Sequence, residues 1–250
     1  MITLNDVFNS QSLNIFTDAS MNGYGTSGCT GICLVFGEID RRFPLLNTQT
    51  HNQIIKGCTN NFAEAEAIRE AVYAALMYKD KYPVIRIFSD SLICIDNLRK
   101  RIVTWKISKK NGVGEFIASG NVAKNQEIFT EIMYVMTENN MSIEFLHQMS
   151  HTNFTNSNSL ENARNGFIKN NNIADEIDME LIRALSFYNN YVDRVSRDIF
   201  YSVDLMNIKK TIFPIKYHID ENYDRNVYAA LVSRENSIFN RKIQEENNEN

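Results

Sequence analysis

The sequence predicts an α/β domain: a mixed sheet with helices on both of its faces. Three observations carry that prediction. The first fifty residues hold three β-rich segments separated by turns, the signature of antiparallel strands. From Phe62 to about Tyr188 helical and strand periodicities alternate, as they do where parallel strands are joined by helical crossovers. The acidic residues that interrupt the apolar segments stand at strand ends and helix starts, the places that converge on one rim of such a sheet.

In chain order, Leu13-Asn14-Ile15-Phe16-Thr17 reads as a short buried strand ending at Asp18, followed by a loop with Gly23, Gly25 and Gly28. A second strand covers Cys29 to Gly37, and a turn at Glu38–Asp40 leads to a third around Arg41–Leu46. From Phe62 to Tyr78 the pattern turns helical, with Ile68, Val72, Ala75 and Leu76 on one buried face. Pro83 interrupts it, Val84–Ser89 is a strand ending at Asp90, and a helix is expected from Ser91 to about Arg101. A basic, irregular stretch follows. Val122–Thr137 reads as a helix, residues 142–148 as a strand and residues 152–172 as a long polar loop. Ile173 is expected to open a long helix through Ile177, Leu181, Leu185, Tyr188, Val192, Val195 and Ile199. These elements amount to five strands with helices on both faces, a domain placed at residues 1–190. Residues 191–250 are read as a mostly helical C-terminal extension with a polar, disordered tail.

Composition narrows the function classes. Of 250 residues, 44% are hydrophobic and 22% charged, enough to bury a core, and the net charge of -4 excludes a protein that coats nucleic acid by bulk charge. No window approaches eighteen uninterrupted apolar residues, so no membrane span is expected, and the first residues lack the basic and apolar regions of a secretory signal. Cys29, Cys33, Cys58 and Cys94 fit neither a disulfide framework nor a zinc-ligand spacing. The expectation is a cytoplasmic protein in a reducing compartment.

Four carboxylates mark changes of chain direction: Asp18 and Asp90 at strand ends, Glu64 and Asp175 in the first turns of helices. Each has a local explanation. Asn61-x-x-Glu64 and Asn172-x-x-Asp175 read as capping boxes, Asp90 as a helix cap and Asp18 as a turn former. Gathered on one rim, however, they would repel one another unless something positive were bound. Oxygen-only ligands select hard cations such as Mg²⁺ or Mn²⁺, and two such ions about 4 Å apart form the clamp used in phosphodiester hydrolysis.

These residues also carry a resemblance. Ile15-Phe16-Thr17-Asp18-Ala19-Ser20 is similar to the first-strand signature of type 1 ribonuclease H, and Thr59-Asn60-Asn61-Phe62-Ala63-Glu64 to the T-N-N-x-x-E that opens that family's first helix. Ile87-Phe88-Ser89-Asp90-Ser91 resembles its T/S-D-S strand end. His151 stands where the family has a flexible-loop histidine, with His147 as a competitor, and Asn171-Asn172-Ile173-Ala174-Asp175 resembles its closing N-E-x-A-D, with Asn172 in place of glutamate. The resemblance spans residues 13 to 188. Asn22 is only a loose match to a substrate-contacting asparagine, because the loop after Asp18 lacks the family's usual G-N-x-G run.

The resemblance implies hydrolysis of the RNA strand of RNA–DNA hybrids, leaving 3′-hydroxyl and 5′-phosphate ends, with two Mg²⁺ ions as cofactors and Mn²⁺ as a substitute. It makes Asp18 the bridge between an ion shared with Asp175 and an ion shared with Glu64 and Asp90. His151 aids proton transfer or product release, and Asn60, Asn61 and Ser91 contact the hybrid. The run Arg99 to Lys110 has no acidic residue and contains the only Trp of the chain. It resembles the family's basic protrusion, which assigns Arg101, Trp105, Lys106, Lys109 and Lys110 to nucleic-acid binding; the alternative for such a run is a solvated helix face. Two other functions stay open: a catalytically inactive binding module on the same fold, and a related nuclease acting on DNA. Persistence of all four acidic positions argues for activity. In the extension, Ile208, Ile212, Phe213, Ile215, Tyr217, Tyr223, Tyr228, Leu231 and Ile238 are too many for a disordered tail. They are read as packing back on the domain, with an accessory unit or a docked replication-associated protein as alternatives.

Overall fold

The computed structural model describes residues 1–21, 27–110, 113–153, 155–202, 225–232 and 237–239. A single helical turn, α1 (Leu4–Val7), precedes β1 (Ser12–Met21), β2 (Ser27–Phe36) and β3 (Thr48–Lys56). Then follow α2 (Asn60–Tyr78), β4 (Val84–Ser89) and α3 (Leu92–Asp96), which widens into a π-helical turn at Asn97–Arg101. A second, three-stranded sheet comprises β5 (Lys106–Lys110), β6 (Val113–Ala118) and β7 (Asn121–Val122). The described chain continues with α4 (Gln126–Glu138), β8 (Glu144–His147), α5 (Ser157–Asn171), α6 (Met179–Ser202) and α7 (Arg225–Val232).

The main sheet has the strand order β3-β2-β1-β4-β8. The first three strands form an antiparallel meander, whereas β4 and β8 join in parallel through helical crossovers. This is the mixed five-stranded sheet expected from the sequence. β1 is at its centre and is buried along its first eight residues, as a strand covered on both faces must be. Alternation then sorts its side chains. Leu13 and Ile15 enter a core shared with α2, α4 and α7, while Phe16 enters a core shared with α1, α5 and α6.

Several elements differ from expectation, each for a local reason. The third strand is not at Arg41–Leu46 but at Thr48–Lys56. Pro44 has no N–H for a ladder, and the chain instead turns there, with Phe43 bonding to Asp40 and Leu46 to Phe43. Residues 157–171 are a helix rather than a polar loop: Leu160, Ala163 and Phe167 form a narrow buried stripe on an otherwise polar surface, and Asn156 caps it by accepting from Ser159 N at 3.0 Å. Asn172 does not open the next helix but closes this one, in the left-handed conformation (φ 50°, ψ 50°). Ile173 and Ile177 are buried yet precede α6. Ile177 forms a parallel bridge with Ile2, so their helical spacing serves an extended segment. The helix after β4 reaches Arg101 as expected, though its last turn is π-helical, and the one expected from Val122 begins at Gln126.

α6 runs unbroken from Met179 to Ser202, so the expected domain boundary at 190 falls inside a helix. Beyond it, the described part of the extension packs back on the domain. Tyr228 is buried in the first core and donates to Leu98 O at 3.1 Å, and Ile143 N donates to Leu231 O at 3.2 Å. Phe239 packs on Phe167 in the second core, with Ile238 beside it. The two contacts straddle edge strand β8, covering both faces of the sheet there. Asn22, Gly23 and Gly25, together with Ile208, Ile212, Phe213, Pro214, Ile215, Tyr217, Tyr223 and the polar tail, lie outside the described residues.

Candidate active site

Register alone brings two carboxylates together. In the parallel pair of β1 and β4, Thr17 is opposite Ser89, so the residues that follow, Asp18 and Asp90, emerge side by side. Glu64 reaches the same rim from α2. Its neighbours Ala63, Ala65 and Ala67 are small and fully buried, which lets the helix lie close to the sheet. One ligand oxygen from each of Asp18, Glu64 and Asp90 lies within 4.8 Å of the others. The three line a cleft of about 330 Å³ with Ala19, Ser20, Met21, Asn60, His151, Asp193 and Arg197.

The fourth carboxylate at this rim is Asp193, in the middle of α6, and not Asp175. Asp18 faces Gly31 across the antiparallel pair, and the glycine is what admits the helix. A Cβ at position 31 would stand 3.1 Å from both Ser196 Cβ and Val192 O, so α6 rests directly on the backbone of β2. Ser20 and Ser196 then meet at 2.7 Å between their hydroxyls. Asp175 sits in a bend before α6, beside Glu176, whose carbonyl accepts from Ile2 N at 2.7 Å. At 1.5 Å per residue, the fourteen residues from Met179 to Asp193 carry the chain about 21 Å along the helix, too far for Asp175 to join the cluster.

The sequence did hold a signal for Asp193. Asn171-Asn172-Ile173-Ala174-Asp175 and Asn189-Asn190-Tyr191-Val192-Asp193 share the pattern N-N-x-x-D, and the second copy lies on the amphipathic stripe of Leu181, Leu185, Tyr188 and Val192. Weighing only the first copy misses the residue.

The electrostatics suit a bound cation. Burial, then the charges of Asp90 and Asp193, raise the Asp18 carboxyl well above the usual range. Glu64 is raised well above its range by burial and by Asp18 and Asp90. Asp90 is raised by burial, partly offset by the neighbouring His151. Glu64 Oε2 is buried with no hydrogen-bond partner among the described residues. An all-oxygen set with an orphaned acceptor and mutual repulsion fits a hard divalent ion.

The remaining expected residues divide. His151 lines the cleft, exposed, with its backbone in the left-handed region (φ 50°). His147 does not line it. Asn170 Nδ2 donates to its Nδ1 at 3.0 Å, which leaves the proton on Nε2 to donate to Asp90 O at 3.1 Å. Burial lowers its pKa, and the neutral ring buttresses the Asp90 turn. Asn60 lines the cleft, whereas Asn61 and Ser91 do not. The cap of α2 is Thr59, accepting from Phe62 N at 3.3 Å, so Asn61-x-x-Glu64 is no capping box and Glu64 is directed to the cleft.

The basic stretch is spent in two ways. Arg99 points inward and donates to the carbonyls of Phe145 and Asn170 and to Asn171 Oδ1. Trp105 is packed into the core, 8% exposed, with its ring edge-on to Phe116 at 5.6 Å and Phe129 at 6.2 Å between centroids, and it also lines the second cleft. Arg101 and Lys106 do face a second cleft, of about 660 Å³, between the π-helical turn and the small sheet. Lys124, which stands outside the basic run of the sequence, joins them there. Lys109 and Lys110 lie on β5.

A family model described as RNase H matches residues 10–180. A search of the curated proteins finds no match. Among solved structures, the chain is similar to LC11-RNase H1, a compost metagenome protein in complex with an RNA/DNA hybrid (19% identity, 63% of this chain and 97% of that chain, TM-score 0.40). It is similar to RNase H1 of Halobacterium salinarum NRC-1 (16%, 63% and 98%, TM-score 0.40). It is also similar to a foamy viral protease-reverse transcriptase in complex with an RNA/DNA hybrid (14%, 81% and 21%, TM-score 0.45).

Proposed function

The chain belongs to the RNase H family, and from that premise we propose that it is a divalent-metal-dependent endonuclease that hydrolyses the RNA strand of RNA–DNA hybrids, leaving 3′-hydroxyl and 5′-phosphate ends. The observation that carries the reading is the meeting of Asp18, Glu64 and Asp90 within 4.8 Å at the rim where Asp193 overhangs them.

Asp18, Glu64, Asp90 and Asp193 would hold two Mg²⁺ ions, or Mn²⁺ in their place. When bound, the ions supply a lowered pKa for the attacking water and charge stabilisation for the leaving 3′ oxygen. The protein's own groups do the rest. Asp18 is held by burial and by the Ala19 N–H, which donates to its Oδ1 at 2.8 Å, and Glu64 is held by burial. His151, exposed at the cleft and next to Asp90, takes a proton from the water or returns one to the product. Asn60, exposed on the cleft lining, contacts the sugar of the cut strand, where a 2′-hydroxyl tells RNA from DNA. Arg101, Lys106 and Lys124 bind phosphates in the second cleft, and Lys109 and Lys110 of β5 add to the basic charge of this stretch; such contacts bring affinity without sequence preference. The catalytic unit on this reading ends with α6 rather than at residue 190, because Asp193 belongs to it.

The test is cleavage of a labelled RNA–DNA hybrid with Mg²⁺ and with Mn²⁺, beside RNA duplex, DNA duplex and single-stranded RNA, with Asp18→Asn as blank. Metal-dependent cleavage of the hybrid alone, absent in the variant, is expected. A folded protein that binds hybrid and cuts nothing would instead be a binding module, and cleavage of DNA would make it a different nuclease of this fold.

A further inference from the structure

One cation on the rim of the acidic cleft has no part in the chemistry above. Arg197 lies one turn beyond Asp193 on α6 and lines the same cleft. Its Nη2 donates to both oxygens of the Asp193 carboxylate, each at 2.7 Å. Among the described residues Asp193 is its one ion-pair partner. The pair is open to water: the arginine side chain is 48% exposed and the aspartate 20%. A second arginine in the fold shows the contrast. Arg69 is 9% exposed and is held between Glu66 and Glu131, a pair that nothing at the surface competes for.

A carboxylate whose two oxygens face one guanidinium has its charge already compensated, and a divalent ion arriving at Asp18 meets that guanidinium as a like charge. An exposed pair is weak, so a dication can displace it. The freed guanidinium remains in the cleft, and its planar donor set matches a phosphate as well as a carboxylate. We propose that Arg197 is a positioning residue that exchanges partners: it neutralises Asp193 in the metal-free site and passes to a phosphate of the bound strand once divalent ions take Asp193. The exchange lowers metal affinity in the free protein and raises it when a phosphodiester is present to accept the arginine, so the ions are retained chiefly when substrate is bound. This inference rests on reading the cleft as a divalent-metal nuclease site.

The experiment uses the full chain. Calorimetric titration with Mg²⁺, without nucleic acid, compares wild type, Arg197→Ala, Arg197→Lys and Asp18→Asn, each checked for folding by circular dichroism. Steady-state cleavage of a hybrid at saturating Mg²⁺ gives KM and kcat. Arg197→Ala is expected to bind Mg²⁺ about threefold to tenfold more tightly while its KM for hybrid rises by about the same factor, with kcat less affected. Arg197→Lys lies between the two for both quantities. These shifts have opposite signs, which removal of a merely structural interaction does not produce. Unchanged or weaker Mg²⁺ binding in Arg197→Ala, beside loss of binding in Asp18→Asn, overturns the exchange and leaves the site reading intact. Tighter Mg²⁺ binding with unchanged KM overturns it as well, because the phosphate hand-off is then missing. Wild-type Mg²⁺ binding in Asp18→Asn overturns both readings.

Discussion

Two stretches of this chain spell the same pattern, N-N-x-x-D, eighteen residues apart, and the fold gives them unrelated tasks. In the first copy the asparagines carry the load. Asn171 is 2% exposed; its amide donates to His147 O and Phe167 O at 2.8 Å each, while its oxygen accepts from His147 N at 2.9 Å and from Arg99. Asn172 turns the chain through a positive φ, and Asp175 is left in a bend far from the cleft. In the second copy the aspartate matters. Asp193 overhangs Asp18, while Asn189 is buried with an oxygen that finds no partner among the described residues. What distinguishes them is the surface each meets. One lies against the end of β8, and the other lies over Gly31, where the sheet has no side chain to hold a helix off.

The sharpest way to break this comparison is to neutralise each aspartate in turn. Asp193→Asn is expected to lower single-turnover cleavage about a thousandfold, the several kcal/mol that removing a charged ligand takes from transition-state stabilisation. Asp175→Asn is expected to stay within about twofold of wild type. Equal losses would show that the two aspartates do not differ in role.

The asparagines reverse the ranking when stability is measured. Asn171→Ala unpairs several buried groups and is expected to cost about 2–4 kcal/mol in urea unfolding, whereas Asn189→Ala costs about 1 kcal/mol or less. A larger loss at Asn189 would mean that its buried oxygen holds an ordered water.

The role of Gly31 is tested by Gly31→Val, which overpacks the approach of Val192 and Ser196. A loss of about 1–3 kcal/mol is expected, together with weaker Mg²⁺ binding as Asp193 lifts from Asp18. Destabilisation with unchanged Mg²⁺ affinity would show that the seating of α6 does not position the carboxylate.

Acid–base linkage offers a finer measurement. Asp18, Glu64 and Asp90 hold protons at higher pH when folded than their ordinary values of 3.8, 4.5 and 3.8 allow in the unfolded chain. Glu66 and Glu70, pushed up to about 7 by burial, share the sign. The folded state therefore binds more protons between the unfolded carboxylate range and about pH 7, and in EDTA stability falls as pH rises through that window. Asp193→Asn removes one of the charges that raise the cluster and is expected to flatten the fall in a series of Tm values, while Asp175→Asn leaves the slope as it was. A slope insensitive to both would place the titration at Glu66 and Glu70 instead.

Smallest is the effect of the basic cleft. Replacing Arg101, Lys106 and Lys124 by alanine is expected to reduce the slope of log affinity for hybrid against log salt by about one for each phosphate that goes unpaired. An unchanged slope would remove this face from the binding surface.

Much of this protein is determined by sequence acting over short range. Alternating and helical periodicities place β1, β2, α2 and β4, because burying one face of a strand or helix demands them. Asp18 and Asp90 are legible as a pair, because each closes an apolar run in neighbouring parallel strands, although β1 continues past Asp18 to Met21. Glu64 is legible in its helix start, although its cap is Thr59. Other features were decided only in three dimensions. α5 is too polar for its three-residue stripe to stand out, and it is a helix because Phe88 and Phe239 give Phe167 somewhere to pack. Trp105, in a basic run, is drawn inward by Phe116 and Phe129, so that only a small part of it reaches the second cleft. The choice between two identical motifs was beyond local reading altogether. It depends on a glycine more than 150 residues away, whose missing side chain sets how close one helix comes to the sheet and so which aspartate reaches the cleft.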